Sequence, residues 1–459
     1  MELLSRLARY GALALAAFVI LGAGIARAAG EGVFRPETFT LDNGMQVVVV
    51  SNHRVPVVTH MAWYKVGSAD EEPGKSGIAH FLEHLMFKGT KNLAPGEFSA
   101  TVSRNGGREN AFTSLDYTGY FQTVAKDRLE IVMRMEADRM SNLTLSEEVV
   151  EPERLVILEE RRQRTDNSPG AVLREHVSAS LYLNHPYQRP VIGWEHEIRA
   201  LTVEDILAFY RQWYAPNNAV LVVAGDITAE EVRPLAEKYY GVIPRGPDIV
   251  RARPQEPPQK AERRVIHRDP KVGQPALSRH YLAPSYTTGA SEHAYALQVG
   301  AELLGGGSTS LLYRELVIER KLAVAAGAYY GPDGLGPGTF VAYASPRPEV
   351  SMEDLEAAIS ELLDTVAEDG FAAEEIERAK KRIAASAVYA RDSLRAGARV
   401  LGSALTSGRT IEDVESWPDR IAEVTTEQVK AAMRHVLDEN RSVTALLLPE
   451  ESSEEQAQL

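Results

Sequence analysis

The segment Gly77-Ile78-Ala79-His80-Phe81-Leu82-Glu83-His84-Leu85-Met86-Phe87-Lys88-Gly89-Thr90 decides how the rest of the chain is read. Its pattern predicts a helix over 75–87. On a helix, residues four apart lie on one face, one turn from each other, so His80 and His84 can reach a single metal ion. Glu83 follows His80 by three and projects to the same side. Neutral imidazoles suit Zn²⁺, and a nearby carboxylate can take a proton from water that the ion activates. A helix with two hydrogen-bonded histidines is the bland alternative. The order H-x-x-E-H favours the metal, with Glu83 as general base.

A catalytic zinc takes three protein ligands and keeps one position open. The region 147–162 reads as an acidic helix carrying Glu147, Glu148, Glu151, Glu153, Glu159 and Glu160. Most of these belong on a solvated face. Glu153 and Glu160, seven apart, share a face two turns long. One can bind the metal while the other orients a histidine or a basic side chain. Further on, Gly106-Gly107 lead into a strand-like run through Asn110, Ala111 and Thr113 to Tyr120. An edge strand beside a metal would hold an extended peptide, although spacing alone fits a simple hairpin with a glycine turn. The Gly305-Gly306-Gly307-Ser308-Thr309-Ser310 stretch lacks the lysine of a phosphate-binding loop and reads as a turn.

Strands are expected at 45–51, 57–66 and 219–224, with helices at 129–140, 146–164 and 203–214. Interleaved elements of this kind imply layered domains of helices and mixed sheet, and 459 residues exceed what one core usually serves. The proline-rich run 244–258 lacks apolar periodicity. The expected layout is therefore a first domain at 32–243, a linker at 244–260 and a second domain at 261–450. The two domains look related: 201–226 lies on 424–449 without a gap, with matches such as Thr202 to Thr425, Glu204 to Glu427 and Asn217 to Asn440.

The net charge of −14 argues against a non-specific nucleic-acid binder. There is no cysteine, so neither a disulfide framework nor a thiolate metal site is available. The N-terminus has Arg6 and Arg9, an apolar run over 11–25 and then Ala26-Arg27-Ala28. This is the form of a signal peptide at 1–28, cleaved before Ala29, and implies export to a bacterial periplasm. Membrane attachment is expected only if the leader stays uncleaved.

On these residues the chain resembles the pitrilysin superfamily of zinc metallopeptidases, the group of insulin-degrading enzyme and the mitochondrial processing peptidases. The match of 77–90 to the family's zinc helix is close. The 106–120 run resembles its edge strand, with Asn110 and Ala111 at the substrate-contacting positions. Glu160 falls on the third zinc ligand and Glu153 on the accompanying glutamate, while His185-Pro186-Tyr187 and Gly193 resemble a further segment. The resemblance implies an α+β fold of two homologous domains, forming half of a clamshell chamber, and an endopeptidase acting on unfolded peptides.

One departure stands out. The family carries an Arg and a Tyr in the second domain, which bind the peptide and polarise its scissile carbonyl. Their positions here hold Val317 and Val324, and neither valine donates a hydrogen bond. Arg314, Arg320, Tyr329 and Tyr330 are nearby candidates to substitute. The departure implies a heterodimer, in which a paralogous chain supplies the Arg–Tyr pair. A non-catalytic assembly subunit, or a zinc-binding module that captures peptides without cutting them, is the competing expectation.

Overall fold

The computed structural model describes residues 32–390 and 393–450. The expected leader lies outside the described residues. Among the described residues, eleven strands form two sheets. The first holds β1 Glu37–Thr40, β2 Gln46–Ser51, β3 Val57–Tyr64, β4 Arg108–Thr113, β5 Thr118–Ala125 and β6 Ala219–Gly225, in the order β1-β2-β6-β3-β5-β4. The second holds β7 Arg263–Arg268, β8 Ala276–Ala283, β9 Ala323–Gly331, β10 Gly338–Pro346 and β11 Ser442–Leu448, in the order β7-β11-β8-β10-β9. The helices used below are α1 Ile78–Leu85, α2 Glu147–Arg161, α3 Pro169–Leu181, α4 Val203–Trp213, α5 Leu394–Thr406 and α6 Thr426–Val436.

The sheets share one topology. A parallel pair, β2 with β6 or β7 with β11, is followed by antiparallel neighbours in the same succession, and the first sheet adds β1 at its edge. The ungapped overlay of 201–226 on 424–449 holds element for element. Helix α4 falls on α6, the short turn Pro216–Asn218 on Glu439–Arg441, and β6 on β11. Both helices open with the same device: Thr202 and Thr425 cap them reciprocally with Asp205 and Gln428.

Each sheet buries one face under its own helices and the other under a helix from the opposite half. Helix α5 lies on β3 and β6 of the first sheet, where Ala398, Leu401 and Ala404 meet Met61, Trp63 and Val222. Helix α3 lies on β7 and β11 of the second, where Leu173, Val177 and Leu181 meet Val443 and Ala445. The exchange explains why β6, Ala-Val-Leu-Val-Val-Ala-Gly, is buried at every position: a strand covered on both faces has no polar side to present. The helix packs so closely that a Cβ at Gly402 would overlap the Trp63 indole. Gly402→Ala is expected to destabilise the protein by about 1–3 kcal/mol through overpacking, and denaturant unfolding would measure it.

The expected elements are present, with shifts at their ends. Helix α1 begins at Ile78, three residues later than the 75–87 reading, because Gly77 takes a left-handed conformation (φ 88°) as its N-cap. Helix α2 stops at Arg161 and gives way to a π turn over Arg162–Asp166, where the sequence suggested an unbroken helix to 164. The stretch from 244 to 262 has no helix or strand, yet two arginines tie it down: Arg251 and Arg253 both pair with Asp70.

Candidate active site

The N-terminus of α1 is held from several sides. The buried Glu71 carboxylate accepts the N–H groups of Gly77 and Ala79, at 3.1 and 3.0 Å. Ser76 donates its N–H to Glu197 and accepts that of Trp194. A Cβ at Gly77 would come within 2.6 Å of the Ile192 carbonyl oxygen, so only glycine fits this approach. The helix that follows turns Ile78, Phe81, Leu82 and Leu85 into the core, and this leaves the histidine face toward α2.

Helix α2 owes its placement to two buried arginines. Arg154 donates to the carbonyls of Ile198 and Leu201. Arg161 donates to the Gly193 carbonyl and pairs with Glu175 at 2.8 Å. These contacts fix the rotation of the helix, and with it Glu153 and Glu160. Glu153 binds His84 Nδ1 at 2.8 Å and Lys88 Nζ at 2.5 Å. Glu160 Oε2 lies 3.3 Å from His84 Nε2 and 3.8 Å from His80 Nε2. Spacing alone left the two glutamates interchangeable. The geometry separates them: Glu160 shares a point with both histidines, while Glu153 sits behind one.

His80, His84 and Glu160 each offer a ligand atom, all within 4.8 Å of one another, the one such trio among the described residues. Tetrahedral zinc with bonds of about 2.0–2.1 Å puts its ligand atoms about 3.3 Å apart, close to the spacings seen here. The donor set, two imidazoles and a carboxylate, is the one catalytic zinc uses. The trio therefore fits the ion.

The surroundings push the two histidines in opposite directions. Burial lowers the basicity of His80, and His84 beside it lowers it further, which keeps a neutral imidazole. Burial also pulls His84 down, but bonds to Glu153 and Glu160 outweigh it and raise this histidine to about 9. The His84 bond holds Glu160 below the usual carboxylate range. Burial pushes Glu153 up, yet His84 and Lys88 together hold it low. Glu83 goes the other way: burial raises it despite the bond it accepts from Thr113.

That bond joins the trio to the edge strand. Thr113 closes β4, which pairs with β5 on one side and ends the sheet on the other. Asn110 and Ala111 lie on the same strand, and Asn110 Oδ1 accepts the Ala111 N–H at 2.9 Å. Thr113, Lys88 and Arg164, which pairs with Glu160, went unassigned in the sequence reading. No spacing rule separates them from ordinary surface residues. Glu153→Gln is expected to weaken zinc binding about 10–100-fold, as loss of a partner behind a ligand histidine typically does. Competition with a fluorescent chelator would measure it.

Comparison with known proteins agrees with this geometry. Residues 46–195 match the model of the insulinase family, peptidase family M16, and residues 200–383 match the peptidase M16 inactive domain. The zinc protease PqqE of Helicobacter pylori is 35% identical over 80% of this chain and 83% of its own. The chain belongs to the M16 family. It is a zinc metalloprotease built from two α+β domains of mixed sheet and helix, matching the half-clamshell structures of that family. The crystal structure of a protease from Helicobacter pylori is 31% identical and superimposes with a TM-score of 0.84, covering 90% of this chain and all of that one. A probable mitochondrial-processing peptidase subunit beta of Schizosaccharomyces pombe is 34% identical over 47% of each chain.

Proposed function

We propose that this protein is an exported endopeptidase of unfolded peptides and the zinc-bearing chain of a heterodimer. The observation that carries the reading is the bond from Thr113 to Glu83, which sets the base between the His80–His84–Glu160 trio and an open strand edge. Zinc, when bound, supplies Lewis-acid chemistry that acidifies water and polarises a carbonyl. A peptide added along β4 at Asn110 and Ala111 takes main-chain hydrogen bonds and displaces the Asn110 side chain from the Ala111 N–H. Glu83 Oε2 accepts from Thr113, so Oε1 takes the proton of the attacking water and returns it to the leaving amine. Glu153 holds His84 in the tautomer that points Nε2 at the site.

Support for a partner comes from the second half of the chain. Val324 lies exposed on β9, and Val317 lies in a π-helical turn, Tyr313–Glu319. The polar candidates nearby are engaged within their own domain. Arg320 binds Glu361, Arg314 pairs with Glu315 and Glu375, and Tyr330 donates to the Pro284 carbonyl. Tyr329 is exposed, as are both arginines, while Tyr330 is half-buried. A paralogous chain bringing an Arg–Tyr pair would complete the oxyanion contacts, and the name of the fission-yeast relative, a subunit, is in keeping with such an arrangement. The two valines equally suit a non-catalytic assembly subunit, but an intact trio with Glu83 beside it favours catalysis. Peptide binding without hydrolysis would need no base.

The proposal extends to domain limits of 32–243 and 261–450 around a linker at 244–260, and to export on a leader at 1–28. Among the described residues no helix is long and apolar enough to cross a membrane. Purification from the native host, followed by peptide turnover of the chain with and without its co-purifying partner, tests the heterodimer. At least about a hundredfold stimulation is expected if the partner supplies oxyanion donors. Equal turnover by the lone chain would refute it.

A further inference from the structure

The turn between β4 and β5 is fastened far more heavily than a four-residue turn requires. Its own bond, Ser114 N–H to the Tyr117 carbonyl at 2.8 Å, already closes it. Yet Asp116, 3% exposed, gathers contacts from distant parts of the chain. Arg253 pairs with its carboxylate, and the Tyr187 hydroxyl donates to Oδ2. The Leu335 N–H, from the second half, donates to Oδ2 at 3.0 Å. Arg251 donates to the Asp116 carbonyl at 2.6 Å and to the Thr406 carbonyl at 3.0 Å. The same arginines grip Asp70, and the neighbouring Ser68 and Ala69 N–H groups donate to the carbonyls of Ser114 and Leu115 in the same turn. The Tyr187 hydroxyl also accepts the Gly336 N–H at 2.9 Å.

Three residues before this hub stands Thr113, the donor to Glu83. We infer that Asp116 is a positioning residue: held by Arg253, Tyr187 and the 335–336 loop, it locks the turn so that Thr113 aims the Glu83 carboxylate. The contact set spans the first half, the segment between the halves and the second half, so the seam between domains bears directly on the base. A shift at the seam moves the hairpin, the hairpin moves Thr113, and Glu83 loses the orientation its free oxygen needs. Small displacements of positioned groups of this kind cost rate rather than binding. The inference rests on Glu83 being the base.

A double-mutant cycle tests it on the full chain with its co-purifying partner. Asp116→Asn and Thr113→Val are each expected to lower kcat about tenfold or more, with KM within about twofold and one zinc retained. If Asp116 acts through Thr113, the double mutant is no slower than Thr113→Val alone. Multiplying losses, or a fall in kcat matched by loss of zinc, would overturn the inference. Should Asp116→Asn fail to fold, Tyr187→Phe removes one donor to Asp116 and runs the same cycle with the same two outcomes. The reading of Glu83 fails separately, through a Glu83→Gln protein that still turns over.

Discussion

Glu83→Gln is expected to keep its zinc and to lose peptide turnover by about 10²–10⁴-fold, the range that general-base removal spans. The substitution preserves size and leaves an amide oxygen that still accepts the Thr113 bond. It removes only the capacity to take a proton. Glu83 is not one of the three grouped ligands, so metal content measured on the same sample should match wild type. A loss of zinc together with turnover would assign Glu83 to the metal instead. Unchanged turnover would remove it from the reaction.

His84→Ala is expected to lose both zinc and turnover. It takes away a ligand nitrogen and also strands the groups arranged around it. Glu153 keeps only Lys88, and Glu160 loses its nearer histidine. Partners behind a ligand are worth about 10–100-fold in affinity, so removing the ligand itself should cost more than about 100-fold. Zinc titration of the variant, with unfolding followed in parallel, separates a failed site from a failed fold. Near-normal affinity would mean that the trio does not hold the ion.

Much of this site was legible because helices impose periodicity. His80 and His84 had to share a face, as did Glu153 and Glu160. The duplication was legible for a related reason: the unit from Thr202 to Gly225 carries its own cap, turn and buried strand, and Thr425 to Leu448 repeats them. Which glutamate faces both histidines was not readable from spacing. It depends on the rotation of α2, set by Arg154 and Arg161 through carbonyls more than 30 residues away. The exchange of α3 and α5 between the sheets was equally hidden, since amphipathic helices do not state whose sheet they cover. Thr113 and Asp116 belong to the same class. A threonine ending a strand and an aspartate in a turn are ordinary in sequence, and only long-range contacts give them a role.

The central claim is that the trio and Glu83 form a working hydrolytic site rather than a relic. Metal should be stripped from the protein purified from its native host with any partner attached. Turnover of a quenched-fluorescent peptide should then be followed while zinc is returned in substoichiometric steps, for wild type and Glu83→Gln. The account predicts that wild-type turnover vanishes on stripping and returns in proportion to zinc, saturating at one ion per chain, while the variant binds the same zinc and stays inactive. Turnover indifferent to zinc, or absent at full occupancy across a range of peptides with the partner present, would contradict it.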